Sequence, residues 1–416
     1  MESRNRQVTI IGGGIGGLTL ALFLHEIGVP CRIFEAAAEI RPLGVGLNLL
    51  PHAVDQLHRL GLEGALLERA IETEAYSYFT RHGQLVCSEP RGRFAGYDRP
   101  QISIHRGDLH LTLIEAVRQR LGSGALVLRH RCVDVEQDGS GVTASFVGPN
   151  GESLPSQRGA VAIACDGIHS VARQKYHPEE ARLRYEGTTQ YRGTTRAAPF
   201  LGGATMVYLG TIEFGKLVIY PIRNAIDGAG NQLINWVVEI ERPADQLSRD
   251  WNRPSDVAPF IAQFEHARFP WLDIAATLRA ADAVFEYPMV DQDPLSFWTS
   301  GRVTLLGDAA HPMMPRGSNG SAQAIIDAAV LSELLARSDN WPGALMDYEA
   351  QRHKATSDIV IANRTLSPDA ILQVVEERSG GAPFNDVADL ISAQEFEDWQ
   401  ARYRRIAGFE KKQAAR

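Results

Sequence analysis

The sequence predicts an α/β chain: a doubly wound, mostly parallel sheet, an inserted and mostly antiparallel β-sheet domain, and helical C-terminal segments. Three observations predict it. Residues 8–35, VTIIGGGIGGLTLALFLHEIGVPCRIFE, run strand, glycine turn, helix, strand. Residues 181–290 change to strand-like runs broken by Gly, Asn and Asp. The run VTLL, 303–306, then returns to the buried-strand type. Continuous apolar runs suit strands covered on both faces, whereas alternation suits a sheet with two unlike faces. The return makes the first domain discontinuous, 1–74, 100–180 and 285–340, with 75–99 and 181–284 in the inserted domain and 341–416 as a C-terminal helical region.

Taken in order, Val8 to Ile11 is a buried strand, and Gly12, Gly14 and Gly17 follow in GxGxxG spacing ahead of an apolar helix. A second short strand ends at Glu35. Gly44 and Gly46 turn the chain, and Ala53 to Leu60 has helical apolar spacing. Residues 75–90 alternate as two strands turning at His82-Gly83. A helix follows His105, with Asp108 as its expected cap and Gly122 at its end. Residues 126–151 form a strand pair joined at Asp138 to Gly141, and Val161 to Cys165 is another buried strand. In the inserted domain TTQYRGTTR, TMVYLG, KLVIYPI and LINWVVEI supply the antiparallel sheet. Gln323 to Ala336 is helical, as is most of 342–416, with breaks at Pro368 and Gly380-Gly381.

Composition narrows the class. With 416 residues, 44% apolar and 22% charged, the chain can bury a large core. A net charge of −8 without a long block of one sign argues against a nucleic-acid partner. The uncharged run Val8 to Leu24 is too glycine-rich, and too short, for a membrane anchor. The basic tail Arg402 to Arg416 reads as a solvated end. Cys31, Cys87, Cys132 and Cys165 are scattered without a CxxC, so reduced thiols in a cytoplasmic protein are expected, and no metal site.

The first motif is a dinucleotide site by its chemistry. Gly12 permits the tight turn, Gly14 lets backbone approach a pyrophosphate, and Gly17 lets helix pack close to strand. Ile15 and Gly16 open the helix, whose free N–H groups and positive dipole end favour phosphates. Glu35, 23 residues after Gly12, is placed to accept hydrogen bonds from ribose hydroxyls. Asp308 ends a strand at the carboxyl edge of the sheet, where open α/β folds bind ligands.

Two later segments extend the pattern: CDGIHSVAR (165–173) directly after the strand VAIA, and GDAAHPMMPRGSNGSAQAIIDA (307–328) directly after VTLL. With GxGxxG they resemble, in order and spacing over roughly the first 340 residues, the three fingerprints of single-component FAD-dependent aromatic monooxygenases, the para-hydroxybenzoate hydroxylase superfamily. HPMMPRGSNGSAQAIIDA is most similar to the phenazine and aminobenzoate hydroxylase branch. The resemblance implies a Rossmann-like FAD-binding domain. It gives Asp308 the flavin's ribityl or ribose hydroxyls and sets Pro312 and Gly317 against the isoalloxazine. The N–H groups of Gly317, Ser318 and Asn319 would face negative charge at the N1–O2 edge of reduced flavin. Arg106 would reach the pyrophosphate. Arg41 and Gly46, in the IRPLGVG loop, would lie near flavin. Asp166, with Gly167 and Arg173, would join flavin and nicotinamide binding, or form a turn with an internal salt bridge. Arg316 would face flavin, substrate or solvent.

The resemblance also implies a reaction. NADH or NADPH reduces FAD, O2 adds to give a C4a-hydroperoxyflavin, and oxygen passes to a small aromatic substrate, a phenol or aromatic carboxylate, amino-substituted or phenazine-like. Decarboxylative hydroxylation is a variant. No side-chain nucleophile or metal is needed, in keeping with the absence of HExxH and GxSxG. The inserted sheet should line the pocket, through Tyr191 or Arg192, Tyr208, Tyr220 and Trp236, each with a plain core role as its alternative. Tyr191 and Arg192 adjoin, so a regular strand can aim only one of them at the substrate. His311 is a candidate proton relay or turn cap, and His52, near the Gly44 loop, is another. Without a second GxGxxG, nicotinamide is expected to bind transiently across a groove of a monomer or homodimer. The competing readings are another flavoenzyme on this fold, a reductase or halogenase, and a non-catalytic flavin carrier. The absence of a WxW segment counts against a halogenase, and the 311–320 loop favours hydroxylation.

Overall fold

The computed structural model describes residues 6–39, 45–243, 253–366 and 368–410. Arg41 lies outside the described residues. Two large sheets organise the chain. The first runs Thr299–Ser300, Val303–Leu305, Val161–Ala164, Val8–Ile11, Cys31–Phe34, Leu126–Val127 in spatial order. All its pairs are parallel except the Thr299–Ser300 edge. Its strands are short and apolar because both faces are covered: Val8, Ile10, Ile33, Val161 and Ile163 are fully buried. The helix Ile15–Glu26 is buried along most of its length, packed between the helices Arg106–Leu121 and Gly320–Arg337. Two glycines make this packing fit. Gly12 adopts φ +104, and a Cβ there would collide with the carbonyl of Cys165. A Cβ on Gly17 would collide with the carbonyl of Gly12.

The second sheet has eight strands, in the order Arg253–Ser255, Val284–Asp291, Arg184–Ala197, Gln232–Glu241, Lys216–Arg223, Thr205–Leu209, Ala75–Phe79, Leu85–Pro90. Its pairs are antiparallel except that of Thr205–Leu209 with Ala75–Phe79. Register defines two faces. Gln190 pairs with Glu239 and Glu239 with Lys216; Arg192 pairs with Val237, Val237 with Val218, and Val218 with Tyr208. Paired residues share a face, and their sequence neighbours point the other way. The other face, with Tyr191, Trp236, Val238 and Ile219, packs on Phe260, Phe264, Ile274 and Leu278.

The C-terminal region is helical over Trp341–Thr365, Ile371–Ser379 and Ala393–Ala407, interrupted near Pro368 and at Gly380-Gly381, as its sequence predicts. Two local expectations need correction. The helix Arg106–Leu121 is capped by His105, whose Nδ1 accepts from the Gly107 N–H at 3.1 Å; Asp108 sits in the first turn and pairs with Arg223. The stretch from Arg402 is not simply a solvated end, because Tyr403, Ala407 and Phe409 are buried against Leu50. All four cysteines are free thiols, two of them buried.

Candidate active site

The fingerprint loops converge at the carboxyl ends of the parallel strands. Gly14 precedes the helix Ile15–Glu26 in extended conformation, no side chain caps that helix, and the space where a Gly14 Cβ would sit is open. Glu35 turns back to this loop and accepts from the N–H groups of Gly13 (2.7 Å) and Ala37 (2.8 Å). Asp166, after the Val161–Ala164 strand, accepts from the Val171 N–H at 2.9 Å through one carboxylate oxygen, while the other is buried without a partner. Burial pushes the Asp166 carboxyl up. The internal salt bridge with Arg173, the alternative reading of this turn, does not form. Arg173 is fully buried and donates to the carbonyls of Ala309, Ala310 and Asp293 instead, fastening the Asp308 turn from below. Burial lowers this guanidinium to about 10.

Asp308 stands in the turn Gly307–Ala309 after the strand Val303–Leu305. Its side chain opens to a cleft and points toward Gly320, where the helix Gly320–Arg337 begins. The surrounding protein pushes its carboxyl up, and His311 and Arg106 oppose that. The helix Gly320–Arg337 has no side-chain cap either, so its first N–H groups are available. Two uncapped helix starts, an orphaned carboxylate oxygen and a carboxylate beside Arg106 fit an elongated anionic dinucleotide with sugar hydroxyls.

This cleft continues into a cavity of about 400 Å³ between the 312–321 loop and the inner face of the second sheet. Arg192, Tyr208 and Tyr220 line it from the sheet, together with Gly46, Arg106, Asp308, Pro312 and Gly317 to Asn319. Tyr191, Trp236 and His311 are not among its lining residues. Tyr191 is fully buried in the outer core against Phe260, its hydroxyl bonded to Arg242. Trp236 donates its indole N–H to Thr195 on that same face. His311 Nε2 is 2.6 Å from Asp327 Oδ2, and Asp327 also accepts from Arg352 at 2.7 Å. Burial disfavours the Asp327 charge, but His311 and Arg352 hold the carboxyl at about 2. His311 therefore supports the loop from beneath. His52 stacks on Phe409 outside the cavity, both ring nitrogens buried without partners.

Residues that the sequence did not single out complete the wall. Glu239 accepts from Arg316 (2.5 Å) and from Thr188 (3.1 Å), and lies 3.4 Å from Lys216, which pairs with Asp369 at 2.5 Å. Arg316 also reaches Glu186 at 2.9 Å. Burial opposes the Glu239 charge, but Lys216 and Arg316 prevail and hold the carboxyl at about 2. The signal for Glu239 and Lys216 was the two-residue period: each lies an even number of positions from a pocket-facing neighbour, Val237 or Tyr220. Asp369 had no such signal, because it comes from the C-terminal region. Among the described residues, no cluster of His, Cys, Asp or Glu suits a metal, and no helix is long and apolar enough to cross a membrane.

Comparison with known proteins gives the same reading. A family model described as FAD binding domain matches residues 5–251 and 282–362. The chain is 39% identical over 361 residues to the phenazine 1,6-dicarboxylic acid hydroxylase PhzS of Lysobacter antibioticus, covering 86% of this chain and 89% of that one. It is 34% identical over 394 residues to the 3-amino-4-hydroxybenzoate 2-monooxygenase PtmB3 of Streptomyces platensis, covering 91% and 93%. A salicylate hydroxylase solved as a substrate complex superposes with a TM-score of 0.71 at 25% identity, over 97% of this chain and 98% of that one. The three fingerprints, the two-sheet architecture and these relatives agree: the chain belongs to the FAD-binding family of the para-hydroxybenzoate hydroxylase superfamily and is an FAD-dependent aromatic monooxygenase.

Proposed function

We propose that the chain hydroxylates a small aromatic carboxylate, amino-substituted or fused-ring and phenazine-like, bound in the cavity between the 312–321 loop and the second sheet. The observation that carries this reading is Arg192. This half-buried guanidinium faces the cavity, donates to the Gly46 carbonyl at 3.0 Å, and lies over the Tyr287 ring and beside the Tyr220 hydroxyl. Among the described residues no carboxylate pairs with it, and its Nε is buried without a partner. A cation bonded only to neutral groups in a ligand-sized cavity is matched by an anionic ligand, and a carboxylate can accept two of its N–H bonds.

The relatives support the same chemistry, since one is named for a phenazine dicarboxylic acid and another for an aminohydroxybenzoate. In this reading Asp308, Arg106, Glu35, Asp166 and the Gly12–Gly17 turn hold FAD by its hydroxyls and phosphates. Bound FAD, reduced by NADH or NADPH, would supply the activation of O2, and O2 the transferred oxygen atom. The chain's own residues then have three tasks. Arg192 orients the ring by its carboxylate. Tyr208 and Tyr220 stay neutral, because burial raises both phenols and Tyr220 to about 12, so they can donate hydrogen bonds to an electron-rich substrate. Met206, Met289, Pro288 and Val218 keep the reacting region dry. We further propose a cytoplasmic enzyme, monomer or homodimer, in keeping with its free thiols.

The test is the visible absorption of purified protein, followed by NAD(P)H oxidation against hydroxybenzoates, aminobenzoates and phenazine carboxylates. Flavin bands and oxidation stimulated by an aromatic carboxylate, with a product gaining one oxygen or exchanging CO2 for hydroxyl, are expected. Stimulation only by uncharged aromatics would remove the role given to Arg192.

A further inference from the structure

The 312–319 loop has an unusual backbone. Gly317 and Ser318 are both left-handed, at φ +69 and +61. For serine this conformation is strained and persists only where its surroundings impose it. Successive N–H groups in such turns converge and favour negative charge. Here they border the cavity.

A single chain of buried hydrogen bonds spans this loop. Asn363 Nδ2 donates to the Met314 carbonyl at 3.1 Å. The Tyr403 hydroxyl donates to Asn363 Oδ1 at 3.0 Å and accepts from Asn319 Nδ2 at 2.7 Å. Asn319 Nδ2 also reaches the Gly317 carbonyl at 3.2 Å. Asn319, Asn363 and Tyr403 are buried to 1% exposure or less. A Cβ at Gly317 would collide with the Tyr403 hydroxyl, so loop and phenol fit only while 317 is glycine. The helix Ala393–Ala407 that carries Tyr403 is itself pinned, by Gln323 to the Ala407 carbonyl at 3.4 Å and by Tyr97 to the Phe409 carbonyl at 2.8 Å. Asn363 and Tyr403 both lie beyond residue 362, where the family match ends.

We propose that Tyr403 and Asn363 are positioning residues that hold the 314–319 loop in its strained, N–H-presenting form, so that the C-terminal helix sets how strongly the site favours reduced flavin. The proposal rests on the FAD site described above. Neither residue lines the cavity; they act on the loop through Asn319 and the Met314 and Arg316 carbonyls. Loss of the chain lets the loop relax, which weakens the electrostatic stabilisation of reduced flavin more than that of oxidised flavin.

The test uses the holoenzyme. Tyr403→Phe removes the hydroxyl's bonds to Asn319 and Asn363 and its 3.5 Å contact with the Arg316 carbonyl with little change of volume, and Asn363→Ala breaks the same chain at the Met314 end. Each variant should keep FAD and hydroxylate, yet favour reduced flavin about tenfold less, a midpoint potential about 30 mV more negative for a two-electron couple. A larger share of NAD(P)H oxidation should end as H2O2. The double variant should shift no further than the larger single, since one chain is broken twice. Arg405→Gln, on the exposed side of the helix, should leave the potential unchanged. Wild-type potential and peroxide share in both folded single variants would overturn the proposal, as would shifts that add in full. A lower melting temperature at unchanged potential would reduce Tyr403 to a packing residue and equally overturn it. If Tyr403→Phe does not fold, Asn363→Ala decides alone. Wild-type protein that takes up no flavin would instead sink the functional reading, a result distinct from these.

Discussion

At the scale of single residues, the fingerprint positions fall together on one cleft, while only some of the sheet candidates face the cavity. Asp308 was readable because a carboxylate at the end of a buried strand has few roles other than ligand or cap. Asp308→Ala should weaken FAD binding roughly tenfold to a hundredfold, the usual worth of hydrogen bonds to a charged group, and a titration of apoprotein by flavin fluorescence measures it. His311 shows the opposite case. A histidine beside the loop proline suggested proton transfer, but its partner Asp327 comes from the helix Gly320–Arg337, and no spacing announced that pairing. His52 carries a different consequence. Burial, with Arg352 adding, lowers it from 6.5 to about 4. The unfolded chain thus binds the proton near pH 6.5 and the folded chain only near pH 4, so acid favours unfolding across that window. The group costs up to roughly 3 kcal/mol once pH falls below 4. Plotted as melting temperature against pH, His52→Phe should be flatter than wild type between pH 6.5 and 4. Equal slopes would show that this imidazole stays hydrated.

At the scale of elements, alternation in QYRGTT and its neighbours told that one face differs from the other, but not which face lines the cavity. The structure resolves it through pairing: Arg192 sits in the row of Val237, Val218 and Tyr208, while Tyr191 joins the outer core. Adjacent substitutions should therefore separate. Tyr191→Phe should lower unfolding free energy by about 1 kcal/mol and leave KM alone, whereas Arg192→Gln should raise KM for a carboxylate substrate about tenfold or more at near wild-type stability. Denaturation and steady-state kinetics on the same preparations check both. Helix starts were also partly legible. The cap at His105 escaped notice because histidine is an uncommon cap, and Asp108 three residues on looked like the better acceptor.

At the scale of the whole molecule, the return of a buried strand at 303 was enough to anticipate an insertion, because parallel sheets need covered strands. The parallel pairing of Thr205–Leu209 with Ala75–Phe79 and the docking of Tyr403 were not legible, since each joins segments over a hundred residues apart or depends on a loop brought from elsewhere. A cofactor held by as many separate segments as proposed above should also hold the fold. Stripping FAD should lower the melting temperature by several degrees, and readdition at a hundred times its Kd should restore about 2.7 kcal/mol. A melting temperature indifferent to flavin would mean that the segments are organised without it.

The two-faced sheet has a last consequence, for descent rather than catalysis. Along each central strand, one residue answers to the ligand and the next to the core, so selection acts on them independently. A lineage can exchange its substrate by drifting at every second position while the intervening ones stay under purifying pressure. A saturation library through 188–196 and 232–240, sorted once for folding and once for turnover, should show tolerance with a period of two and opposite phase in the two sorts.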